Sequence, residues 1–133
     1  MRKNSARLVG AAATALLGMT AWAGLKYTRT VSVTLGSNGS GSASGSLADA
    51  RNSPDSVQYI GCETYVYGGS PEVLCWAQAS NGVFGSCYSS NPAIVAALQS
   101  IKGDSELGFN WNSSSECTFV SVANHSYLAP KNP

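Results

Sequence analysis

The chain has 133 residues, with 8 Lys and Arg against 7 Asp and Glu, and charged side chains make up only 11% of it. Soluble proteins typically carry about a quarter, so this chain cannot assemble the basic patch that neutralises nucleic-acid phosphates, and we expect no nucleic-acid partner. The length suits a single domain.

The first 23 residues have the pattern of a secretory signal peptide. Residues 1–7 are short and positive, residues 8–19 form an apolar run rich in Ala and Leu, and Ala21-Trp22-Ala23 supplies the small residues that signal peptidase needs. We therefore expect cleavage after Ala23. The mature chain, residues 24–133, then carries more acidic than basic side chains, because three of the basic residues lie in the leader.

A transmembrane anchor is the alternative for this segment. A helix that crosses the hydrocarbon needs about 20 apolar residues, whereas this run is shorter and is interrupted by Gly10, Thr14 and Gly18. No later stretch is apolar enough to span a membrane, and no Cys stands at the cleavage site for a lipid anchor. We expect a secreted protein, extracellular or periplasmic, whose mature chain is not inserted in a membrane.

Export decides the chemistry of the cysteines. In an oxidising compartment the four are expected to form two disulfides. Their spacing contains no C-x-x-C pair and the chain has a single His, so we expect no structural metal site and no cofactor. The cysteines are Cys62, Cys75, Cys87 and Cys117.

Four cysteines allow three connectivities. The favoured pairing joins Cys62 to Cys75 around a Gly-Gly-Ser-Pro turn. It leaves Cys87 to pair with Cys117, which ties the helical segment to the last hairpin. A Cys75–Cys87 bridge across the Asn-Gly turn is nearly as good and stays open.

The first predicted elements are an alternating strand and a segment of small residues. Residues 27–35 alternate between apolar side chains and Thr or Ser, which predicts a half-buried strand. Residues 36–46 contain almost nothing but Gly and Ser, and we interpret them as a flexible loop or, alternatively, a flat edge strand. Residues 47–54 resemble a short connection.

Three further strands are predicted in the middle of the chain, where the hydrophobic period is again two. The first two are joined by the turn Gly68-Gly69-Ser70-Pro71. The next pair is joined by Asn81-Gly82, a two-residue hairpin signal because both residues tolerate positive φ. The strands cover residues 57–67, 72–80 and 83–88.

One helix and a final hairpin complete the chain. Asn91-Pro92 is a helix-starting pair and Gly103 can end a helix, so apolar residues at helical spacing predict a helix over about residues 92–102. Two strands follow, at 107–111 and 117–123. The predicted fold is mainly β, a small antiparallel β-sandwich or sheet with one α-helix, stabilised by disulfides.

Two stretches of the chain carry a resemblance. Residues 51–62 read RNSPDSVQYIGC, and residues 91–105 read NPAIVAALQSIKGDS. Together with the four spaced cysteines, these stretches resemble uncharacterised small exported bacterial proteins. The resemblance covers most of the chain beyond residue 45. It implies export and a shared fold, and it carries no activity and no binding residue onto this sequence.

Recognisable catalytic motifs are missing from the sequence. A Ser-His-Asp triad needs a His as base, and the single candidate, His125, has no marked nucleophile. The G-x-S-x-G elbow, the phosphate loop and the dinucleotide fingerprint are absent. We therefore expect a protein that is not an enzyme. The alternative is a hydrolase that uses two of the seven acidic residues as an unrecognised carboxylate pair.

Aromatic side chains form the candidate ligand-binding site. Tyr59, Tyr65 and Tyr67 fall on the strand face opposite Cys62, and Trp76 falls on the face opposite the cysteine of its own strand. If those two cysteines pair, all four aromatics share the outer side of the sheet. Exposed rings there can stack on sugars or anchor a protein partner.

A second layer is the competing interpretation, and it is the one that the sequence favours. The apolar helix face of Ile94, Leu98 and Ile101 could cover the four aromatics and make them core. Phe109 and Trp111 are stronger core candidates still.

The sequence therefore predicts a secreted, disulfide-stapled, non-catalytic binding module for a cell-surface glycan or a protein partner. Besides the hydrolase, a protease inhibitor remains an alternative, with the turn at residues 68–71 as its exposed rigid loop.

Export gives the first prediction. Expressed in a secreting host, the processed protein should begin at Gly24, because Ala21 and Ala23 satisfy signal peptidase. Intact-mass measurement of the secreted chain checks this. Recovery of the full-length chain in the membrane fraction would contradict it.

Overall fold

A computed structural model describes residues 24–130, so the predicted signal peptide at 1–23 lies outside the described residues. This part of the chain contains seven strands and two helices. In chain order they are β1 (Ser32–Leu35), β2 (Gly41–Ser46), α1 (Leu47–Asn52), β3 (Tyr59–Tyr67), β4 (Ser70–Gln78), β5 (Phe84–Ser89), α2 (Pro92–Leu98), β6 (Glu106–Trp111) and β7 (Cys117–Ala123).

The strands form two antiparallel sheets. One has the order β1-β2-β6-β7 and the other the order β3-β4-β5, and every pairing within them is antiparallel. The predicted fold class, mainly β with a helix and stabilising disulfides, is confirmed. Neither of the two described helices has the length and hydropathy to cross a membrane.

The core lies between the two sheets. On β6, Leu107, Phe109 and Trp111 are all buried, as their alternation predicts, and the Phe109 and Trp111 rings lie 5.8 Å apart. On β4, Val73 and Ala77 are fully buried. Side chains from both sheets and from α2 join one continuous hydrophobic cluster, so neither sheet buries its apolar face alone.

Trp111 packs against backbone in both sheets. Its ring lies so close to Gly41 of β2 and Gly85 of β5 that a Cβ on either glycine would overlap ring carbons. The indole N–H donates a hydrogen bond to the carbonyl of Gly39 at 3.1 Å. The Trp111 side chain therefore fits only because Gly41 and Gly85, which lie against its ring, have no side chain.

The Gly/Ser-rich segment differs from its prediction. Residues 41–46 are neither a loop nor an edge strand: β2 lies inside its sheet, between β1 and β6. Ala43 is buried opposite Phe109, and Gly45 lies against the backbone of Val31. Small side chains are needed here because neighbouring groups fill the space above the strand.

The first strand is shorter than the predicted span of 27–35. The backbone before β1 is held by isolated backbone bonds and by side chains. The N–H of Ser46, the last residue of β2, donates to the carbonyl of Arg29 at 2.8 Å, and the N–H of Tyr27 donates to the carbonyl of Tyr127 at 3.0 Å. The N–H of Arg29 donates to Asp49 Oδ2 at 2.7 Å, and the N–H of Val31 donates to Gln58 Oε1 at 3.1 Å. These contacts hold the segment without extending the ladder.

A short helix, α1, replaces the connection predicted at 47–54. Ser46 is its N-cap, since the Ser46 hydroxyl accepts a hydrogen bond from the N–H of Asp49 at 3.1 Å. Ala48 and Ala50 are buried on its inner side. Two alanines are too weak a periodic signal to reveal a helix of this length from sequence.

The second helix starts as predicted and ends earlier. The Asn91 side chain accepts a hydrogen bond from the N–H of Ala93 at 2.9 Å, which caps α2 before Pro92. The N–H groups of residues 99–101 each bond to the carbonyl three residues earlier. The helix therefore tightens into a 3₁₀-type turn after Leu98, and Gly103 is not its terminator.

The turn between β3 and β4 is a two-residue turn. Gly68 and Gly69 have φ values of 60° and 87°, as a primed hairpin turn requires. Ser70 therefore already pairs with Tyr67, and β4 begins two residues before its predicted start.

The turn between β4 and β5 is longer than the predicted two residues. The N–H of Ala79 bonds to the carbonyl of Val83 at 2.9 Å, and the N–H of Gly82 bonds back to Ala79 at 2.8 Å. Of the Asn81-Gly82 pair, only Gly82 has positive φ. This is a three-residue loop with glycine at the left-handed position.

Asp55 organises the residues before β3, which begins at Tyr59 and not at Val57. The Asp55 carboxylate accepts hydrogen bonds from the Gln58 N–H, the Gln58 side chain and the Val57 N–H, at 2.8, 2.6 and 2.9 Å. These bonds lower the pKa of Asp55 from 3.8 to about 2. Because the ionised form is favoured, its contribution to stability is present above pH 3.8 and is lost as the pH falls toward 2.

Both favoured disulfides are present. Cys62 bonds to Cys75 directly across the β3–β4 ladder, and Cys87 bonds to Cys117, which joins β5 to β7 of the other sheet. The alternative Cys75–Cys87 bridge is wrong, although these two residues are also opposite in the β4–β5 ladder. Among the described residues no cysteine is free.

The Trp111 contact predicts a large difference between glycines. Gly41→Ala and Gly85→Ala should each destabilise the fold by about 1–3 kcal/mol, because the added methyl overpacks a filled site. Gly61→Ala is the matched control, since a Cβ there meets nothing within 4 Å. Chemical denaturation of the three variants checks this. Equal free energies of unfolding for the Gly41 and Gly61 variants would contradict it.

The two disulfides should contribute unequally to stability. Replacing Cys62 and Cys75 with Ser opens a link with a sequence separation of 13, and replacing Cys87 and Cys117 opens one of 30. In the chain-entropy model the first change costs about 3 kcal/mol and the second about 0.7 kcal/mol more. Thermal and urea unfolding of the two double variants measure the difference. A larger loss for the Cys62/Cys75 variant is the contrary result.

Candidate binding face

The outer side of the three-stranded sheet gathers aromatic side chains from all three strands. Successive strand residues point to opposite sides, and the ladder places Tyr59 opposite Gln78, Tyr65 opposite Glu72 and Tyr67 opposite Ser70. The opposite side of the same strands carries the buried Val73 and Cys75. We name the outer surface the aromatic face. It consists of Tyr59, Tyr65, Tyr67, Leu74, Trp76, Phe84 and Tyr88.

The aromatic face is open to solvent. Tyr59 is 44% exposed, Tyr65 36% and Tyr67 75%, while Trp76 is half-buried. Within residues 24–130, no second layer covers these three tyrosines, so the interpretation that they are core is wrong. Leu98 of α2 belongs instead to the buried cluster on the inner side of the sheet.

The structure adds residues that the sequence reasoning missed. Phe84 and Tyr88 of β5 are 45% and 47% exposed, and the ladder puts Phe84 opposite Gln78 and Tyr88 opposite Leu74. The sequence contained an indication of this, because alternation along the strand puts Phe84 and Tyr88 on the side of β5 opposite the buried Cys87. Assigning them required the register of β5 against β4.

Two carboxylates lie among the rings of the aromatic face, Glu63 and Glu72. Interaction with the Glu72 side chain, together with burial and the negative charges of Glu72 and Glu63, raises the pKa of Tyr65 above its ordinary value. The phenol therefore stays protonated at neutral pH. No Lys or Arg occurs between residues 52 and 101, so the aromatic face is neutral to weakly acidic.

A cleft of about 410 Å³ borders the aromatic face at Tyr88. Its other walls include Ser90, Asn91, Glu116 and Thr118. The Glu116 carboxylate accepts a hydrogen bond from the side-chain amide of Asn112, with 2.9 Å between Nδ2 and Oε2. The volume lies within the range of small-molecule sites, and its polar walls offer hydroxyl and carboxylate groups next to the Tyr88 ring.

One group of metal-ligand residue types occurs in the described part of the chain. The sulfur atoms of Cys75, Cys87 and Cys117 lie within 4.8 Å of one another. Each of these sulfurs is bonded in a disulfide, so none is available as the thiolate that metal binding needs.

The candidate catalytic base, His125, is exposed and lies beyond the end of β7. Its ring stacks on Tyr127, with ring centroids 4.6 Å apart. Among the hydrogen bonds of residues 24–130 none joins its ring to a serine hydroxyl. The nearby Ser105 hydroxyl bonds instead to Asn124.

Comparison of the chain with protein-family models, with curated proteins and with solved structures found no match.

Proposed function

We propose that the protein is a secreted, non-catalytic binding module that holds its ligand on the aromatic face. The single observation that carries this proposal is the exposure of Tyr59, Tyr65, Tyr67 and Tyr88 on one side of one sheet. Large apolar rings left in water cost free energy that a ligand can recover by covering them.

The sheet beneath the rings supports this role. The Cys62–Cys75 disulfide links the two strands that carry most of the aromatic face, directly behind Gly61 and Trp76. A platform held rigid before binding loses less conformational entropy when the ligand arrives. A fixed spacing between rings also suits a ligand with repeated units.

The chemistry of the aromatic face favours a neutral sugar. Tyrosine and tryptophan rings pack against the apolar faces of sugar rings while their polar ends accept or donate hydrogen bonds. Glu63 and Glu72 can accept from sugar hydroxyls, and they repel an acidic polymer. The cleft beside Tyr88 adds further hydroxyl and carboxylate groups at one end. A polar protein surface is the second partner that this chemistry suits.

Secretion is supported by the two disulfides, which form and persist in oxidising compartments. The proposed signal peptide is supported by the pattern of residues 1–23, and its Ala-rich apolar segment is of the kind found in bacterial export signals. An extracellular or periplasmic location would bring the aromatic face to cell-surface glycans.

Alanine substitution tests the aromatic face. Tyr67→Ala, Tyr88→Ala and Trp76→Ala should each weaken binding to an immobilised neutral polysaccharide several-fold, because each stacked ring contributes about 0.5–1.5 kcal/mol beyond its buried area. Phe119→Ala is the control, since Phe119 is 52% exposed on β7, outside the aromatic face. Pull-down and calorimetric titration with soluble oligosaccharide measure the effect.

The same experiment separates the alternatives. The thermal midpoint should change little in the tyrosine variants. A Trp76→Ala variant that loses about 3–5 kcal/mol of stability would mark that ring as core. Release of reducing sugar ends from the polysaccharide would support the hydrolase, and inhibition across a protease panel would support an inhibitor. Unchanged binding in all three variants contradicts the proposal.

A further inference from the structure

β3 is an edge strand with a free side. It lies at the end of the order β3-β4-β5 and pairs with β4 without a break from Tyr59 to Tyr67. Edge strands present a row of backbone N–H and C=O groups that can template a further strand.

Two independent features show which residues of β3 bond to β4 through their backbone and which direct their backbone groups away from β4. The two-residue turn makes Tyr67 and Ser70 a bonded pair. The Cα atoms of Cys62 and Cys75 are 4.0 Å apart, which is the narrow spacing of a non-bonded pair. Both place the N–H and C=O groups of every second residue on the side away from β4. These residues are Ile60, Cys62, Thr64 and Val66, of which the last three lie nearest the turn.

The outward backbone groups of Thr64 and Val66 have no protein partner in the described part of the chain, where the inter-element bonds involve other residues. Both side chains are exposed, and Val66 is 70% exposed although it is apolar. The half of β3 nearest the turn is therefore open along its edge and on its inner side.

The other sheet edges are protected. β1 has only four residues, and α2 packs against β7. On β5, the N–H of Tyr88 already bonds to the carbonyl of Ser115 at 3.0 Å. The helices α1 and α2 also contact β3, but residues 63–67 of this strand are exposed. β3 has nine residues and carries no lysine, proline or bulge of the kind that natural edges use to prevent pairing.

We propose that β3 pairs antiparallel with β3 of a second copy of this chain. The register that fits best is centred on Thr64, because it sets Glu63 opposite Tyr65 of the other copy. A register centred on Glu63 would instead face two carboxylates directly, which is destabilising. The Thr64-centred pair makes about six backbone hydrogen bonds and places each exposed Val66 opposite Cys62 of the other copy.

Pairing in this register joins two three-stranded sheets into one of six strands. Glu63 and Tyr65 both lie on the outer side, so the two aromatic faces meet on the same side of the joined sheet. The dimer itself does not rest on the proposed ligand. If the ligand is a repeating polymer, two adjoining faces would bind it with increased avidity.

A proline tests the edge directly. Thr64→Pro removes an outward N–H and leaves the bonds to β4 intact, because proline is tolerated on an edge strand with its nitrogen facing solvent. Thr64→Val keeps the N–H and is the matched control. By sedimentation equilibrium over a range of concentrations, the oxidised wild type and Thr64→Val should form dimers and Thr64→Pro should stay monomeric.

Amide hydrogen exchange gives a second test that does not depend on folding of the proline variant. In the wild type, raising the concentration should slow exchange at Cys62, Thr64 and Val66. Exchange at Glu63 and Tyr65 should not change, because their amides already bond to β4. A wild type that remains monomeric at every concentration overturns the proposal. A dimer in which the three outward amides exchange unchanged also overturns it, since another surface would then be responsible.

Discussion

The separation of the two sheets depends on one side chain, Trp111. Its ring needs a site without a Cβ on both sides, and Gly41 and Gly85 provide these sites from different sheets. The indole N–H then bonds to the backbone before β2. A Cβ at Gly41, beside Trp111 in the same sheet, or at Gly85, in the facing sheet, would overlap the ring, so the Trp111 side chain would have to move. The contact with Gly85 is therefore one of those that hold the inner side of the smaller sheet against the larger one.

The two disulfides stabilise the same arrangement of the sheets through covalent bonds. Cys62–Cys75 fixes the register of the two strands that carry most of the aromatic rings, and Cys87–Cys117 fastens the three-stranded sheet to the larger one. Because strand side chains alternate, cysteines that point inward require their neighbours to point outward. Covalent linkage of the core side therefore positions Trp76 and Tyr88 on the other side.

The smaller sheet consequently offers two distinct surfaces. Its outer side presents rings and two carboxylates without a single basic residue, whereas its β3 edge presents backbone groups. The rings suit a ligand that covers apolar area and forms hydrogen bonds, and the edge suits another strand. The edge strands of the larger sheet are β1, which is short, and β7, against which α2 packs.

The sequence by itself determined the alternating strands and the Asn91 cap, because these depend on the period of side chains and on residues near in the chain. It favoured the two disulfides that form, but the choice against a Cys75–Cys87 bridge depended on how the two sheets pack. It could not determine that residues 41–46 form an internal strand, since glycine and serine carry almost no periodic signal and only Trp111 and Phe109 across the sheet explain their size. Nor could it decide whether Tyr59, Tyr65 and Tyr67 are core or surface. An alternating strand has the same sequence pattern whether its outer side is buried or exposed. The tyrosines are exposed because α2 packs against the inner core and does not cover them.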